Sequence, residues 1–232
     1  MPPVAAALVL ALSYAAAVRG DAPANGSFLP PPPGNVAQSQ AVYLTGDGNF
    51  ALWRAMTSKK QVGEANGTRF YQWYLSIYAQ RRGAFRLRYQ SPGNGGPLAR
   101  VTQATGAKMW FPVQELHIVG EAQFLAFGVQ QLVVTSHETG ADCGSATVAV
   151  FASAPGGSVG PAAAVSNPCE LSATIEHGET GDIVHLTGPY YAANAPLCCP
   201  TKAHAAAVLT HFNGKWAVTP NYFKLLVGRL PP

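Results

Sequence analysis

Charge is scarce in this 232-residue chain: Asp, Glu, Lys and Arg together make up 11% of it, under half the usual share of about 25%. That scarcity excludes a charge-rich disordered polypeptide, and an apolar share of 48% supplies material for a core. Cysteine is missing until Cys143, then appears at Cys169, Cys198 and Cys199. Sustained helical periodicity is also missing. Room for a short helix remains only near Pro112 to Leu116 and over Tyr222 to Val227. No His-Glu-x-x-His pair occurs, so no zinc protease announces itself. Ser136, His137 and Glu138 are adjacent, but neighbours on a strand point to opposite faces and cannot form a triad among themselves. A hydrolase would need a dispersed site. No catalytic residue, metal ligand or cofactor is nominated.

Only the N-terminus carries a long apolar stretch, Val4 to Val18, interrupted by Ser13 and ended by Arg19, Gly20 and Asp21. It is short for a membrane span, which needs about 20 apolar residues. Residues 1–20 therefore read as a secretory signal, cleaved after Ala17 or Gly20. Residues 21–40, with Pro30 to Pro33 in one run, read as a Pro-rich disordered linker. Residues 41–232 read as the globular body. Export to an extracellular or periplasmic space follows, where cysteines are oxidised, and the Ala, Gly and Pro richness hints at a bacterial source. Asn25 and Asn66 open glycosylation sequons, relevant only in a glycosylating host.

Within the body, short segments rich in Val, Ile, Thr, Tyr and Phe alternate with Gly, Pro, Asn and Asp. This is the punctuation of an all-β, mainly antiparallel fold, sandwich-like or barrel-like. Strands are expected at Phe50 to Met56, Phe70 to Tyr78, Phe85 to Gln90, Ala99 to Gln103, Leu116 to Gly120, Gln131 to Ser136, Thr147 to Ala152, Glu170 to Glu176, Ile183 to Thr187, Ala205 to His211 and Lys215 to Val218. The pair Asn213-Gly214 between the last two suits a type I′ hairpin turn, with positive φ at both positions. Residues 153–168, full of Gly, Ala, Ser and Pro, read as a loop that divides the body or is spanned by one continuous sandwich.

Ile118 to Phe151 has the cadence of an FG-GAP-like blade, without the acidic calcium loop of such repeats. Asp182 to Pro220 contains Leu186-Thr187-Gly188, then Pro196-Leu197-Cys198-Cys199-Pro200, then a strand, an Asn-Gly turn and Trp216. This region resembles the C-terminal part of the LppP/LprE family of exported bacterial lipoproteins. The lipobox cysteine of that family is absent, and the resemblance implies export and a β-rich fold but no chemistry. Four cysteines allow three connectivities. What the family resemblance implies is Cys198 joined to Cys199 in the Cys-Cys-Pro loop, leaving Cys143 for Cys169.

The few charges are unevenly placed. Arg54 to Lys108 holds ten basic residues against Glu64 alone, whereas Met109 to the C-terminus holds four basic and eight acidic. The acids Glu176, Glu179 and Asp182 surround one turn, and the histidines His177, His185, His204 and His211 lack ligand spacing. The basic half contains a hairpin with a three-residue loop, Arg81-Arg82-Gly83, that would pair Tyr78 with Arg86 and Ser76 with Arg88. Tyr74, Ser76, Tyr78, Arg86 and Arg88 would then share one face, opposite Trp73, Leu75, Ile77, Phe85, Leu87 and Tyr89. Such a face would grip an anionic polymer or cell-surface component by charge and ring stacking. The expectation is a secreted non-catalytic accessory protein with this binding face. A structural or protein-interaction module is the alternative, and a hydrolase with a dispersed site the third reading.

Overall fold

In the computed structural model, the residues described are 29–44, 52–65, 67–91, 113–126, 129–138, 144–154, 156–192, 196 and 200–228. They form thirteen strands and no helix. β1(Asn35–Val42), β2(Leu52–Ala65), β3(Thr68–Arg81) and β4(Ala84–Gln90) make one sheet in that order. β5(Val113–Ala126), β6(Val129–Glu138), β7(Ser145–Ser153), β8(Val159–Pro168) and β13(Lys224–Val227) make a second, in the order β13-β8-β7-β6-β5. The third contains β9(Ser172–Glu176), β10(Ile183–Tyr190), β11(Lys202–Phe212) and β12(Lys215–Thr219), in the order β12-β11-β10-β9. Every pairing is antiparallel.

The five-stranded sheet is the middle layer of three. Successive residues of one strand serve two different cores because side chains alternate across a sheet. Leu132 and Val134 of β6, Ala149 and Phe151 of β7 and Ala164 of β8 join Trp53, Leu75 and Ile77 of the first sheet. Val133, Val148, Val150 and Val165 join Val184, Leu186, Leu209 and Val218 of the third. Strands covered on both faces read as continuous apolar runs. Gln131-Leu132-Val133-Val134 and Thr147-Val148-Ala149-Val150-Phe151 have that form. The outer strand β9, by contrast, alternates between exposed and half-buried positions.

Three expectations need correction. Residues 153–168 are not a loop: β8 fills Val159–Pro168 and lies between β13 and β7. Its Gly160, Pro161 and alanines lack strand propensity, but the doubly covered layer takes small side chains, and Ala163, Ala164 and Val165 are fully buried. Pro161, which has no N–H to donate, sits beside a bulge in the β7–β8 register. The stretch 21–40 is not wholly linker either, because β1 starts at Asn35 and Leu29 packs against buried Met56, Tyr78 and Phe85. At Gly34 (φ 72°) a Cβ would lie 2.4 Å from the Lys59 carbonyl oxygen, so only glycine lets the chain enter β1 this close to β2. Finally, Tyr222 to Val227 is no helix, since Lys224–Val227 pairs with β8, and Val113 to Leu116 opens strand β5.

The remaining expected strands appear at their places, most of them extended; Glu170 to Glu176 is instead shortened to Ser172–Glu176, and Phe50 and Ala99 to Gln103 fall outside the described residues. The signal segment, Cys143, Cys198 and Cys199 also fall outside them. Among the described residues, no helix is long and apolar enough to cross a membrane.

Candidate functional site

The hairpin that carries Tyr74, Ser76, Tyr78, Arg86 and Arg88 closes with two residues, not three. Arg81 pairs with Ala84, and both Arg82 (φ 52°) and Gly83 (φ 82°) are left-handed. This is the turn geometry whose twist matches that of the flanking strands. The pairs become Gln80 with Phe85, Ala79 with Arg86 and Tyr78 with Leu87; then Arg88 is the extra residue of a bulge before Ile77 meets Tyr89. Paired residues share a face, so the expected segregation fails. Arg86 stands on the side of Ala79 and Ile77, while Tyr78 shares its side with Phe85 and Leu87.

The five nominated side chains consequently do not form one exposed surface. Ser76 is 0% exposed and Tyr78 2%, the latter packed with Met56 and Phe85. Burial raises the Tyr78 phenol above its ordinary pKa, with the Ser76 hydroxyl offsetting part of the rise. Tyr74 is half-buried and donates its hydroxyl to the Gln72 side-chain oxygen at 2.8 Å. Arg86 is exposed and Arg88 half-buried.

What the sheet does collect is cations. From Asn35 to Ser91 its described residues include Arg54, Lys59, Lys60, Arg69, Arg81, Arg82, Arg86 and Arg88, with Glu64 as the single acid. They gather toward its two ends. Arg81, Arg82 and Arg86 are exposed around the β3–β4 turn. At the other end β2 and β3 are fourteen residues each and continue past the last core positions, carrying exposed Lys60 and Arg69. There the Lys59 ammonium lies 5.0 Å from the centre of the Tyr71 ring and 5.5 Å from that of Trp73, within cation–π range. Arg69 meets Glu64 at 3.5 Å, with both side chains more than half exposed, so the pair holds little energy. Arg54 donates to the Ser39 hydroxyl at 3.0 Å.

Apart from Glu64, the described acids lie outside this sheet, where Glu121, Glu138, Glu176 and Asp182 do structural work. Strand β5 is an edge of the middle sheet, and bulges break its ladder with β6. Side chains take up its backbone groups. The Gln38 amide accepts from Ile118 N–H at 2.8 Å and donates to Ile118 C=O at 3.4 Å. Asp182 accepts from Gln123 N–H at 2.7 Å, while its own N–H donates to Gln123 C=O at 3.1 Å. Gln131 accepts from Phe124 N–H at 2.7 Å. Glu121 accepts from Tyr43 N–H at 2.5 Å, and partial burial holds its carboxyl above the usual range despite that bond. Glu138 is raised in the same way, the Ser145 hydroxyl and His137 partly offsetting the burial. Glutamine at 38 and aspartate at 182 stand in for the strand that β5 lacks. Sequence pattern alone carries no signal for such long-range partners.

Around the turn of Glu176, Glu179 and Asp182, histidines answer the acids: His177 lies 3.0 Å from Asp182 and His185 2.5 Å from Glu176. His211 packs on Trp216 with ring centres 4.8 Å apart. Among the described residues, no three His, Cys, Asp or Glu side chains come together to hold a metal ion. Cys169 (φ 69°) donates its N–H to Gly144 C=O at 3.2 Å and receives the Tyr191 hydroxyl at its sulfur, also at 3.2 Å.

No known family, no curated protein and no solved structure matches this chain.

Proposed function

We propose that this is an exported, non-catalytic accessory protein that holds an anionic polymer or cell-surface component through the cationic ends of the β1–β4 sheet. The observation that carries the reading is the concentration of eight Lys and Arg residues against Glu64 in one outer layer. Charge so arranged attracts polyanions at a distance and is neutralised by their backbone groups on contact. The half-buried rings of Tyr71 and Trp73 beside Lys59 add a surface on which sugar rings or bases can stack. Export is supported by the N-terminal apolar segment and by Cys169, which is disulfide-bonded.

The site of action therefore shifts from the tyrosine–arginine face to the sheet ends. Retention on heparin, on DNA and on anionic cell-wall material over a salt gradient tests it. Wild type should be retained at low salt. The triple variant Arg81→Ser, Arg82→Asn, Arg86→Ser should elute earlier, and so should Lys60→Ser with Arg69→Ser. A wild-type protein that passes through at low salt sinks the proposal. The protein-interaction reading would then take its place, favoured by exposed Val62 and Leu87 on the same sheet.

A further inference from the structure

Three adjoining clefts, of about 460, 350 and 570 Å³, follow the seam between β5 and β9, the facing edge strands of the middle and third sheets. The first two share His117 and Ser172, and the last two share Val119 and Ala173, so they form one groove. One wall runs from Glu115 to Glu121 and the other from Glu170 to His177. At about 3.3 Å per residue the seven positions of the first wall span about 20 Å, the length of an extended segment of about seven residues.

The chemistry of the groove is one-sided. Its described lining includes Glu115, Glu121 and Glu170, the imidazoles of His117, His137 and His177, and the hydroxyls of Thr135, Ser172 and Thr187. Among the described residues, no Lys or Arg lines it, and neither does any Phe, Tyr or Trp. With three carboxylates and neither Lys nor Arg in its described lining it disfavours phosphate and sulfate, and that lining offers no aromatic platform for sugars or bases. Hydrogen-bond acceptors aimed at ammonium or guanidinium groups are what it supplies. The chain as a whole is formally +4, so attraction of a cation here is a local property and not a consequence of net charge.

We propose that the β5–β9 groove binds an extended peptide segment of a partner protein that carries Lys or Arg, the acids at Glu115 and Glu170 receiving its cationic side chains. The segment lies extended in the groove, and alternate side chains face the glutamates. This site is separate from the cationic sheet ends, and neither proposal depends on the other.

Fluorescence anisotropy with labelled hexapeptides tests it on the folded protein. The probes are alternating Lys-Thr, alternating Glu-Thr, and a neutral β-linked N-acetylglucosamine hexamer as the saccharide control. The Lys-Thr peptide should bind and the other two should not. Glu115→Gln with Glu170→Gln, both exposed and outside the cores, should leave the melting temperature unchanged and weaken the Lys-Thr peptide by about tenfold or more. Arg81→Ser with Arg86→Ser should leave that affinity unaltered. Equal binding of the Lys-Thr and Glu-Thr peptides overturns the proposal, as does unchanged affinity in the glutamine variant. Binding of the saccharide in place of the peptide overturns the ligand class. Concentration-dependent self-association that the glutamine variant abolishes assigns the groove to a second copy of this chain and overturns the separate partner.

Discussion

The middle sheet and the first sheet use their residues in opposite ways. β6, β7 and β8 are buried on both faces, and their one Asp, Glu, Lys or Arg is Glu138 at the end of β6. The β1–β4 sheet has cations at each end, and its long β2–β3 hairpin reaches past the core. The difference follows from position. A layer covered twice excludes charge, because an unpaired buried charge costs several kcal/mol, whereas an outer layer is free to carry charge wherever it meets water. Stability is thus concentrated in the centre, and the surface chemistry in the flanks and the seams.

The strongest way to break this contrast is to empty the centre. Phe151 is fully buried between the first two sheets, its ring 5.0 Å from that of Tyr89. Phe151→Ala should cost about 3 to 5 kcal/mol, read by chemical denaturation. A loss below about 1 kcal/mol, the scale of an ordinary surface change, would mean that the middle layer is not the stabilising one.

The third sheet should respond less. Trp216 packs against Phe124, ring centres 5.0 Å apart, but is only half-buried. Trp216→Ala should therefore cost about 2 kcal/mol, below the range for a fully buried ring. A loss equal to that of Phe151→Ala would place the terminal hairpin on a par with the centre.

That hairpin also shows what was legible in the sequence and what was not. Asn213-Gly214 and Arg82-Gly83 close two-residue turns of the same kind, with φ of 50° and 75° in one and 52° and 82° in the other. Asparagine tolerates the left-handed region and advertises the turn, whereas arginine there is unusual and points to a longer loop. One residue of loop length then moves every side chain of β4 relative to β3. Phe85 came to the side of Tyr78 for that reason and, with Met56 and Leu29, covers it. Strand existence was legible wherever Val, Ile, Tyr and Phe recur, as in β3, β6 and β7. β8 was not, because small residues chosen for a doubly covered layer look like those of a loop. The cations were legible as a count along the chain, but their gathering at the sheet ends needed the register.

The smallest stability effect belongs to the half-buried acids. Glu121 and Glu138 have folded-state pKa values raised above the ordinary carboxylate value, chiefly by burial. The folded protein therefore binds more protons than the unfolded chain in the window just above that value, and stability from these groups is lost as pH rises through it. Glu121→Gln with Glu138→Gln removes the loss while keeping an acceptor for Tyr43 and Ser145. Relative to wild type, the variant should gain stability between pH 4 and pH 7, by less than about 1 kcal/mol given the remaining solvent contact. A relative gain in the reverse direction, toward acid pH, would contradict the burial of these carboxyls.

The division between an apolar centre and a cationic outer sheet is tested most directly by the salt dependence of binding to a single-stranded DNA oligonucleotide. For wild type, the logarithm of the association constant should fall linearly with the logarithm of salt concentration. With Arg81→Ser, Arg82→Asn and Arg86→Ser the slope should become shallower by about 2, three backbone contacts at about 0.7 each. A wild-type affinity indifferent to salt, or identical slopes for the two proteins, would contradict the account.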